Sequence, residues 1–405
     1  MRKNFWFEFG VVILISFGIV FFFARITNTM PATWDGTYYI DMAKNGIIGN
    51  RNLVAPFAYR PGMPLLARLV SINFHVTAER SFQLLGYLGL MGLLCSVYLL
   101  TREFTKNFGQ AIIPVFIIAL LGVQSKFPLF FFTLVDICAY PFIVLAMWAF
   151  IKKKYFLCLA ISAIGLLFKE FLVIHIILLL LYFGMAYWQK KERQDLVSFL
   201  LVLLVGAGMI IIPRLLIPVH GSFQEVDLAN NTSTLKNLWM NPLDELRLVN
   251  VFFSILSYWL PTLLLITALR FKEVWKELEH IRIYILVYLI LILLFSIYGG
   301  TNILIFVSYS VPIQVIFLSV LLMKKVHWSE IVLVIVVLMI YNKIFLDIPQ
   351  PARNLDAYLD FYGGWSTRVN VTTLTRIFEA AVFLCVGNGL RFFTQMNKDK
   401  EFVWR

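Results

Sequence analysis

Apolar runs of membrane-spanning length constrain this chain more than any other feature. A helix needs about 20 apolar residues to cross ~30 Å of hydrocarbon. Twelve such runs would take about 240 of the 405 residues. We interpret the first as a retained span, because it exceeds the apolar region of a signal peptide and no small-residue cleavage site follows. The runs fall near 5–24, 82–100, 111–125, 129–150, 155–168, 170–188, 196–217, 251–269, 282–297, 303–323, 331–346 and 369–390.

The composition supports the same class. The chain is 60% apolar and 14% charged, whereas soluble domains are about 45–50% apolar and about 25% charged. Because so few charged side chains could not cover so much apolar surface, a soluble enzyme is excluded and an all-α polytopic membrane protein with about 12 spans is predicted. The net charge of +12 is typical of Lys and Arg on the cytoplasmic side of a membrane, so no nucleic-acid partner is predicted.

The sequence contains no motif that predicts a cofactor or a metal site. The four cysteines lie inside apolar runs, which argues against a disulfide framework or a zinc site. The sequence contains no Walker A, GxGxxG, HExxH or CxxC motif, so an ATP-driven or zinc-dependent enzyme has no support. We assign no cofactor and no metal ligand, and leave a divalent metal as an open alternative.

Basic residues predict the topology. The lysines at 152–154 and at 190–191 must lie on one side of the membrane under the positive-inside rule. A single helix between them would be about 50 Å long and would separate them. The chain must therefore cross twice as a hairpin that turns at Lys169 and Glu170. With both termini cytoplasmic, most Lys and Arg residues fall in short inner loops. The expected location is the prokaryotic plasma membrane.

This topology leaves three sizeable external segments, at 25–81, 218–250 and 347–368, so any chemistry is expected on the outer face. We predict two modules. The first, residues 1–220, includes the external loop 25–81 and is expected to carry the catalytic site. The second, residues 221–405, includes the loop 347–368, whose aromatic residues bind either a carbohydrate or the membrane interface.

The first external loop contains a short amphipathic helix that begins at Asp35. One face of it carries Tyr39, Met42, Ala43 and Gly46, spaced i, i+3, i+4 and i+7. Asp35 is either an N-cap or a catalytic carboxylate, and the two roles are compatible. Asp41 lies about 240° around the helix and is expected to be a solvated surface residue. Arg60 precedes a proline and is either a turn residue near headgroups or a phosphate contact.

Other ionisable residues fall at membrane depth. Asp136 is predicted about eight residues inside the fourth span, either as a cavity acid that contacts sugar or acceptor, or as the ion-pair partner of Lys126 or Lys169. The 169–170 turn either binds phosphate or anchors the interface. Arg214 ends the seventh span and fits a phosphate clamp or a snorkelling residue. His175 is expected to be a packing residue with its ring nitrogens satisfied.

The sequence resembles a known family in this region. Segment 34–46 reads Trp-Asp-Gly-Thr-Tyr-Tyr-Ile-Asp-Met-Ala-Lys-Asn-Gly and segment 59–64 reads Tyr-Arg-Pro-Gly-Met-Pro. Both look like the polyprenyl-phosphate-sugar-dependent glycosyltransferases of the GT-C superfamily, and the Lys-Glu turn at 169–170 is similar to a basic-acidic pair in many members. The resemblance implies two surface "jaw" helices in the first loop, a catalytic base at Asp35 and a lipid-phosphate-linked sugar donor. The paired acids frequent in the family are absent, since Gly36 and Thr37 follow Asp35.

The resulting hypothesis is an inverting membrane glycosyltransferase. Asp35 would take the proton of an acceptor hydroxyl on a lipid, glycan or protein while the polyprenyl phosphate leaves. The predicted substrate-binding and phosphate-binding residues are Tyr39, Tyr59, Arg60, Asp136, Lys169, Glu170 and Arg214, and membrane lipids are expected partners. Two alternatives remain: a 12-span lipid or glycan transporter or flippase, and a polysaccharide polymerase or ligase.

Overall fold

The computed structural model describes residues 5–26, 29, 35–105, 107–217, 219, 221–222, 245–299, 302–323, 326–349, 357 and 371–403. Helices make up about 83% of the structure, with 17 α-helices in its described part. An all-α architecture, as predicted, is therefore confirmed. One very short parallel pairing, β1 (Val54–Ala55) with β2 (Gly221–Ser222), joins the loop that follows the helix at 35–45 to the segment after the seventh predicted span.

The helices run as follows in chain order. The first ten are α1 (Phe5–Ile26), α2 (Asp35–Asn45), α3 (Gly62–Phe74), α4 (Ala78–Phe104), α5 (Phe108–Leu120), α6 (Lys126–Phe130), α7 (Asp136–Ile151), α8 (Tyr155–Leu166), α9 (Val173–Lys190) and α10 (Arg193–Leu216). The remaining seven are α11 (Glu245–Leu265), α12 (Ala268–Glu277), α13 (Arg282–Tyr298), α14 (Ile303–Ser308), α15 (Val311–Met323), α16 (Trp328–Tyr341) and α17 (Val371–Val403).

Six helical segments of the described chain are long and apolar enough to cross a membrane: Phe5–Phe23, Ala78–Phe104, Glu170–Lys190, Arg193–Leu216, Arg247–Leu265 and Glu279–Tyr298. Six further apolar helices have only 10–17 residues. The chain therefore has the helices of a multi-pass membrane protein. The total of about twelve spans stays a prediction.

Two predicted spans are interrupted. The run near 303–323 breaks between α14 and α15, where Pro312 is the second residue of the new helix, a position that needs no backbone donor. The run near 129–150 breaks before α7, so Asp136 is the first helical residue and does not lie eight residues inside a span. Both breaks place polar backbone and side chains at depths that the hydropathy pattern treats as continuous helix.

Contacts divide the described residues into two compact units. The first unit takes its residues from 1–100, 128–237 and 286–291. In this unit α7, α8, α9 and α10 pack successively on one another, and α2 packs on α3. The turn predicted between α8 and α9 is present, because Lys169 is extended and a single 3₁₀ turn at Glu170–Leu172 leads into α9.

A close approach brings α7 against α4 within the first unit. Pro141 has no N–H, so it gives no backbone hydrogen bond to the Ile137 carbonyl. Gly89 lies directly against that carbonyl, where an added Cβ would be 2.8 Å from its oxygen. Glycine is therefore required at this point of α4, because any side chain would push the two helices apart.

The second unit takes its residues from 101–127, 238–285 and 292–405. A buried carboxylate connects three of its helices. Glu330 of α16 accepts hydrogen bonds from Arg270 of α12 at 3.0 Å and from Arg391 of α17 at 2.5 Å. Its side chain is only 2% exposed. A charge at this depth is tolerated only when it is paired, so this triad fixes the three helices relative to each other.

We expect Glu330→Gln to destabilise the protein by about 3–5 kcal/mol, because the substitution leaves buried arginine charge without its carboxylate. Thermal or denaturant unfolding in detergent measures the effect. Glu79→Gln is the matched control, since Glu79 pairs with Lys44 on the surface with 38% of its side chain exposed, and it is expected to cost below about 1 kcal/mol. Equal losses in both variants would show that Glu330 does not hold the helices together.

Candidate active site

The site is built on the N-terminal turn of α2. Asp35 opens this helix, where exposed backbone N–H groups stabilise a carboxylate. Tyr38 and Tyr39 follow at i+3 and i+4 and therefore share its face. Asp35 is half-buried, whereas Tyr39 is only 1% exposed. The sequence-predicted amphipathic helix is thus present and directs Asp35 and Tyr39 to one side.

Gly36 sets how closely α2 approaches the segment before α7. A Cβ at position 36 would lie 2.4 Å from the hydroxyl oxygen of Thr133 and 3.2 Å from its Cβ. A Cβ contact of 2.4 Å is shorter than real structures show, so a side chain at position 36 would displace Thr133 or α2. Glycine at position 36 thereby allows Asp35 to approach the start of α7, which carries Asp136.

Arg60 forms a two-point ion pair with Glu170. Its Nε donates to Oε2 at 2.8 Å and its Nη2 donates to Oε1 at 2.6 Å, while Nη1 donates to the Tyr39 hydroxyl at 3.2 Å. Parallel guanidinium–carboxylate bonds of this kind are strong and directional. The pair links the segment before α3, which carries Arg60, to the turn between α8 and α9, which carries Glu170. The two residues are 110 positions apart in sequence.

Gly62 makes this link possible. Its N–H donates to the Leu167 carbonyl oxygen at 2.8 Å. A Cβ at this position would lie 2.9 Å from the Phe168 ring and 3.0 Å from the Leu167 oxygen. The Pro-Gly turn after Arg60 therefore packs backbone to backbone against the α8–α9 turn, and only glycine fits there.

Lys169 and Asp136 form a second, buried ion pair. The Lys169 Nζ lies 3.1 Å from Asp136 Oδ1, and the two side chains are 8% and 4% exposed. Of the two pairings that the sequence allowed, the one with Lys169 occurs. Lys126, the other predicted partner, instead donates to the Leu346 and Ile344 carbonyl oxygens of the second unit.

Three charged side chains therefore act on Asp35. Burial raises the pKa of the Asp35 carboxyl above its ordinary value. The positive charge of Lys169 opposes that rise, the negative charge of Asp136 adds to it, and Arg60 opposes it more weakly. Burial also raises the pKa of the Tyr39 hydroxyl, which stays protonated. Asp35 is thus a carboxyl that holds a proton more strongly than a solvated aspartate does.

Arg214 and Tyr59 contact each other. The Arg214 guanidinium lies 4.9 Å from the centre of the Tyr59 ring, and its Nη1 donates to the Ile210 carbonyl oxygen at 2.6 Å. Arg214 is exposed and Tyr59 is half-buried. His220, Glu225 and Asp227, which neighbour Arg214 in sequence, and residues 354–356 and 358–365 of the aromatic segment lie outside the described residues.

Two expectations about polar residues are wrong in detail. His175 is buried and packs edge-on to Tyr288 with ring centres 5.5 Å apart, but neither ring nitrogen has a hydrogen-bond partner. Asp41 is half-buried and accepts amide hydrogen bonds from Asn45 and Asn50 at 2.8 Å each, with Asn52 at 3.4 Å. These hydrogen bonds organise the loop after α2, so Asp41 does more than face solvent.

Two neighbours of the site, the aromatic Phe57 and the hydroxyl-bearing Thr133, were not predicted from the sequence. Phe57 stacks on Tyr38 at 5.3 Å and meets Tyr39 edge-on at 5.7 Å. Thr133 faces Gly36. The only sequence signal for either was a glycine or an aromatic at a turn, which does not identify its long-range partner.

Among the described residues, no group of three or more His, Cys, Asp and Glu side chains is placed to hold a metal ion. Comparison with protein-family models, curated proteins and solved structures finds no match for this chain. The inferences about the site therefore rest on its own geometry.

We expect Gly62→Ala to separate the first loop from the α8–α9 turn and to destabilise the protein by about 1–3 kcal/mol, because the new methyl group overlaps the Phe168 ring and the Leu167 carbonyl. Gly10→Ala in α1 is the control, since a Cβ there meets no atom within 4 Å. Unfolding curves in detergent compare the two variants. A Gly62 variant as stable as the Gly10 variant would contradict the close packing.

Proposed function

We propose that this protein is an inverting membrane glycosyltransferase of the GT-C type, which transfers a sugar from a polyprenyl-phosphate donor to an acceptor hydroxyl. The observation that carries the proposal is the environment of Asp35. This carboxyl has a raised pKa, lies at a helix N-terminus and has the Lys169–Asp136 and Arg60–Glu170 ion pairs beside it. A carboxyl of this kind suits proton transfer better than a solvated aspartate does.

Asp35 acts as the general base. A base is most effective when its pKa lies near the working pH, and burial moves this carboxyl in that direction. The carboxylate takes the proton of the acceptor hydroxyl as the acceptor oxygen bonds to the anomeric carbon and the sugar–phosphate bond breaks. Attack from the face opposite the phosphate inverts the configuration of the anomeric carbon.

Lys169 stabilises the leaving phosphate. An ammonium group has three N–H donors, and the contact with Asp136 occupies one of them at 3.1 Å. The remaining N–H groups can donate to the phosphate oxygens as negative charge develops on them. Asp136 orients the lysine, which keeps the cation in place before the donor arrives. The acceptor, which is a lipid, glycan or protein, enters on the Asp35 side.

Arg60 and Glu170 have a positioning role in this proposal. Both oxygens of the carboxylate are occupied by the guanidinium, whose third contact is the Tyr39 hydroxyl. Arg60 therefore positions the first loop and does not bind the phosphate directly. In this proposal α2 and α3 are the jaw helices, and Arg214 on Tyr59 meets the donor phosphate at the edge of the site.

The proposed setting is the outer face of the prokaryotic plasma membrane, with about 12 spans and both termini cytoplasmic. Two facts support it: the α8–α9 turn carries Lys169 and Glu170, and the lysine clusters at 152–154 and 190–191 lie at the opposite ends of α8 and α9. The positive-inside rule then puts those clusters inside and the Asp35 site outside. Membrane lipids surround the donor's polyprenyl tail.

We expect Asp35→Asn to reduce release of free polyprenyl phosphate by about 10²–10⁴-fold, because the amide cannot accept the proton. The purified protein is incubated in detergent with a panel of polyprenyl-phosphate sugars and a crude lipid extract, and free polyprenyl phosphate is followed. Glu79→Gln, which changes an exposed carboxylate paired with Lys44 at the end of α2, is the control and is expected to keep its activity.

Full activity in a well-folded Asp35 variant would exclude Asp35 as the base. No release by the wild type with any donor, when the protein is folded, would favour a polymerase or ligase. Sugar or lipid uptake into vesicles without turnover would favour a transporter or flippase.

The pH dependence gives an independent test of the environment of Asp35. Only the carboxylate acts as a base, and burial raises its pKa, so the acidic limb of kcat/KM is expected above the ordinary pKa of about 3.9. Lys169 holds this pKa down. Lys169→Gln is therefore expected to move the acidic limb to higher pH, whatever its effect on the maximal rate. A limb that stays in place or moves to lower pH would contradict the assignment.

A further inference from the structure

A groove on α9 lies away from the proposed active site. It has a volume of about 340 Å³ and is lined by Leu180, Leu181, Gly184, Met185, Trp188 and Gln189. Their spacing of i, i+1, i+4, i+5, i+8 and i+9 places them on one helix face. Gly184 has no side chain and leaves the depression in this face. All but one of the lining residues are apolar, so the groove accepts a hydrocarbon chain.

A lysine closes one end of the groove. Lys191 ends α9 in the left-handed conformation with φ of 57°. This turn brings its ammonium back over the Trp188 ring, 4.4 Å from the centroid, and 5.5 Å from the Tyr187 ring centroid. Lys190 and the Trp188 side chain are exposed, the latter at 77%. The groove therefore runs from an apolar floor to a cationic and aromatic rim.

These cations have their charge available. Among the described residues no ion pair joins Lys190, Lys191 or Arg193 to a carboxylate. Glu192 and Asp195 lie at the start of α10, where the helix N-terminus stabilises their charges. A phosphate at the groove end would meet the Lys191 ammonium, which already lies over an aromatic ring. Trp and Lys in this arrangement are typical of the level of lipid headgroups.

We propose that the α9 groove binds one acyl chain of an anionic phospholipid whose phosphate contacts Lys191. The apolar lining fits the chain and the charge of the rim fits an anionic headgroup. A zwitterionic headgroup fits less well, because its own cation would meet the lysine. Under the positive-inside rule this is the cytoplasmic leaflet, which carries negative surface charge.

The groove is distinct from the donor site proposed above. Lys169 and Lys190 lie at opposite ends of the segment that contains α9, about 30 Å apart at 1.5 Å per residue. A lipid in the groove therefore does not compete with a donor phosphate at Lys169. The inference stands whether or not the protein is a glycosyltransferase.

The test uses full-length protein stripped of lipid in detergent and titrated with phosphatidylglycerol or with phosphatidylcholine of the same acyl chains. Native mass spectrometry counts the bound lipid. The wild type is expected to bind phosphatidylglycerol more tightly. Lys191→Gln is expected to weaken that binding on the order of fivefold and to leave phosphatidylcholine binding unchanged, since each basic residue near the surface contributes a several-fold attraction.

The control is Lys154→Gln on the turn between α7 and α8. It matches the tested residue closely, because Lys154 also lies over a tryptophan, 5.6 Å from the Trp148 ring centroid. It is expected to bind phosphatidylglycerol as the wild type does. An equal loss in the two variants would show general charge attraction and overturn the site.

A second variant tests the groove itself. Gly184→Leu places a side chain into the depression and is expected to weaken the binding of both lipids. Phe199 lies 3.5 Å from the position of a Cβ at residue 184, an ordinary contact distance, so the start of a side chain fits. Unchanged binding in a folded Gly184 variant, or a wild type with no preference for phosphatidylglycerol, would overturn the proposal.

Discussion

Charged side chains buried among apolar helices must be paired, and both units of this protein depend on that requirement. An unpaired charge in such surroundings is expensive, so each buried ion becomes a fixed point between segments. In the first unit Lys169 holds the start of α7 through Asp136. In the second unit Glu330 holds α12 and α17 through two arginines. Apolar contacts alone have no such directional preference.

The same pairing organises the candidate site. Arg60 is fixed by Glu170 and Tyr39, and two glycines allow the backbone segments to approach closely enough for those contacts. Asp35 then lies beside ion pairs that are formed before any substrate binds. Charges that are already oriented need no reorganisation during a reaction, which is the property that favours catalysis. In the proposed mechanism the ammonium group of Lys169, held by Asp136, donates to the leaving phosphate.

Particular residues show where sequence reasoning succeeded and where it failed. The lysine clusters at 152–154 and 190–191 predicted the turn at Lys169 and Glu170, because charge patterns report chain reversals. Hydropathy placed Asp136 inside a span, yet it begins α7, because an average over many residues cannot detect a helix break. Lys126 and Lys169 were equally good partners for Asp136 until the fold brought one of them within 3.1 Å.

The sequence by itself determined the class of the protein: all-α, apolar enough for a membrane, with a short helix at Asp35 and a tight turn before α9. These follow from hydropathy, periodicity and local charge, which act over a few residues. Only the tertiary structure decided that Arg60 pairs with Glu170, that Gly36 faces Thr133, and that the pKa of Asp35 is raised. Such contacts join segments about 100 residues apart, and their energies depend on distance and burial, which a linear pattern does not contain.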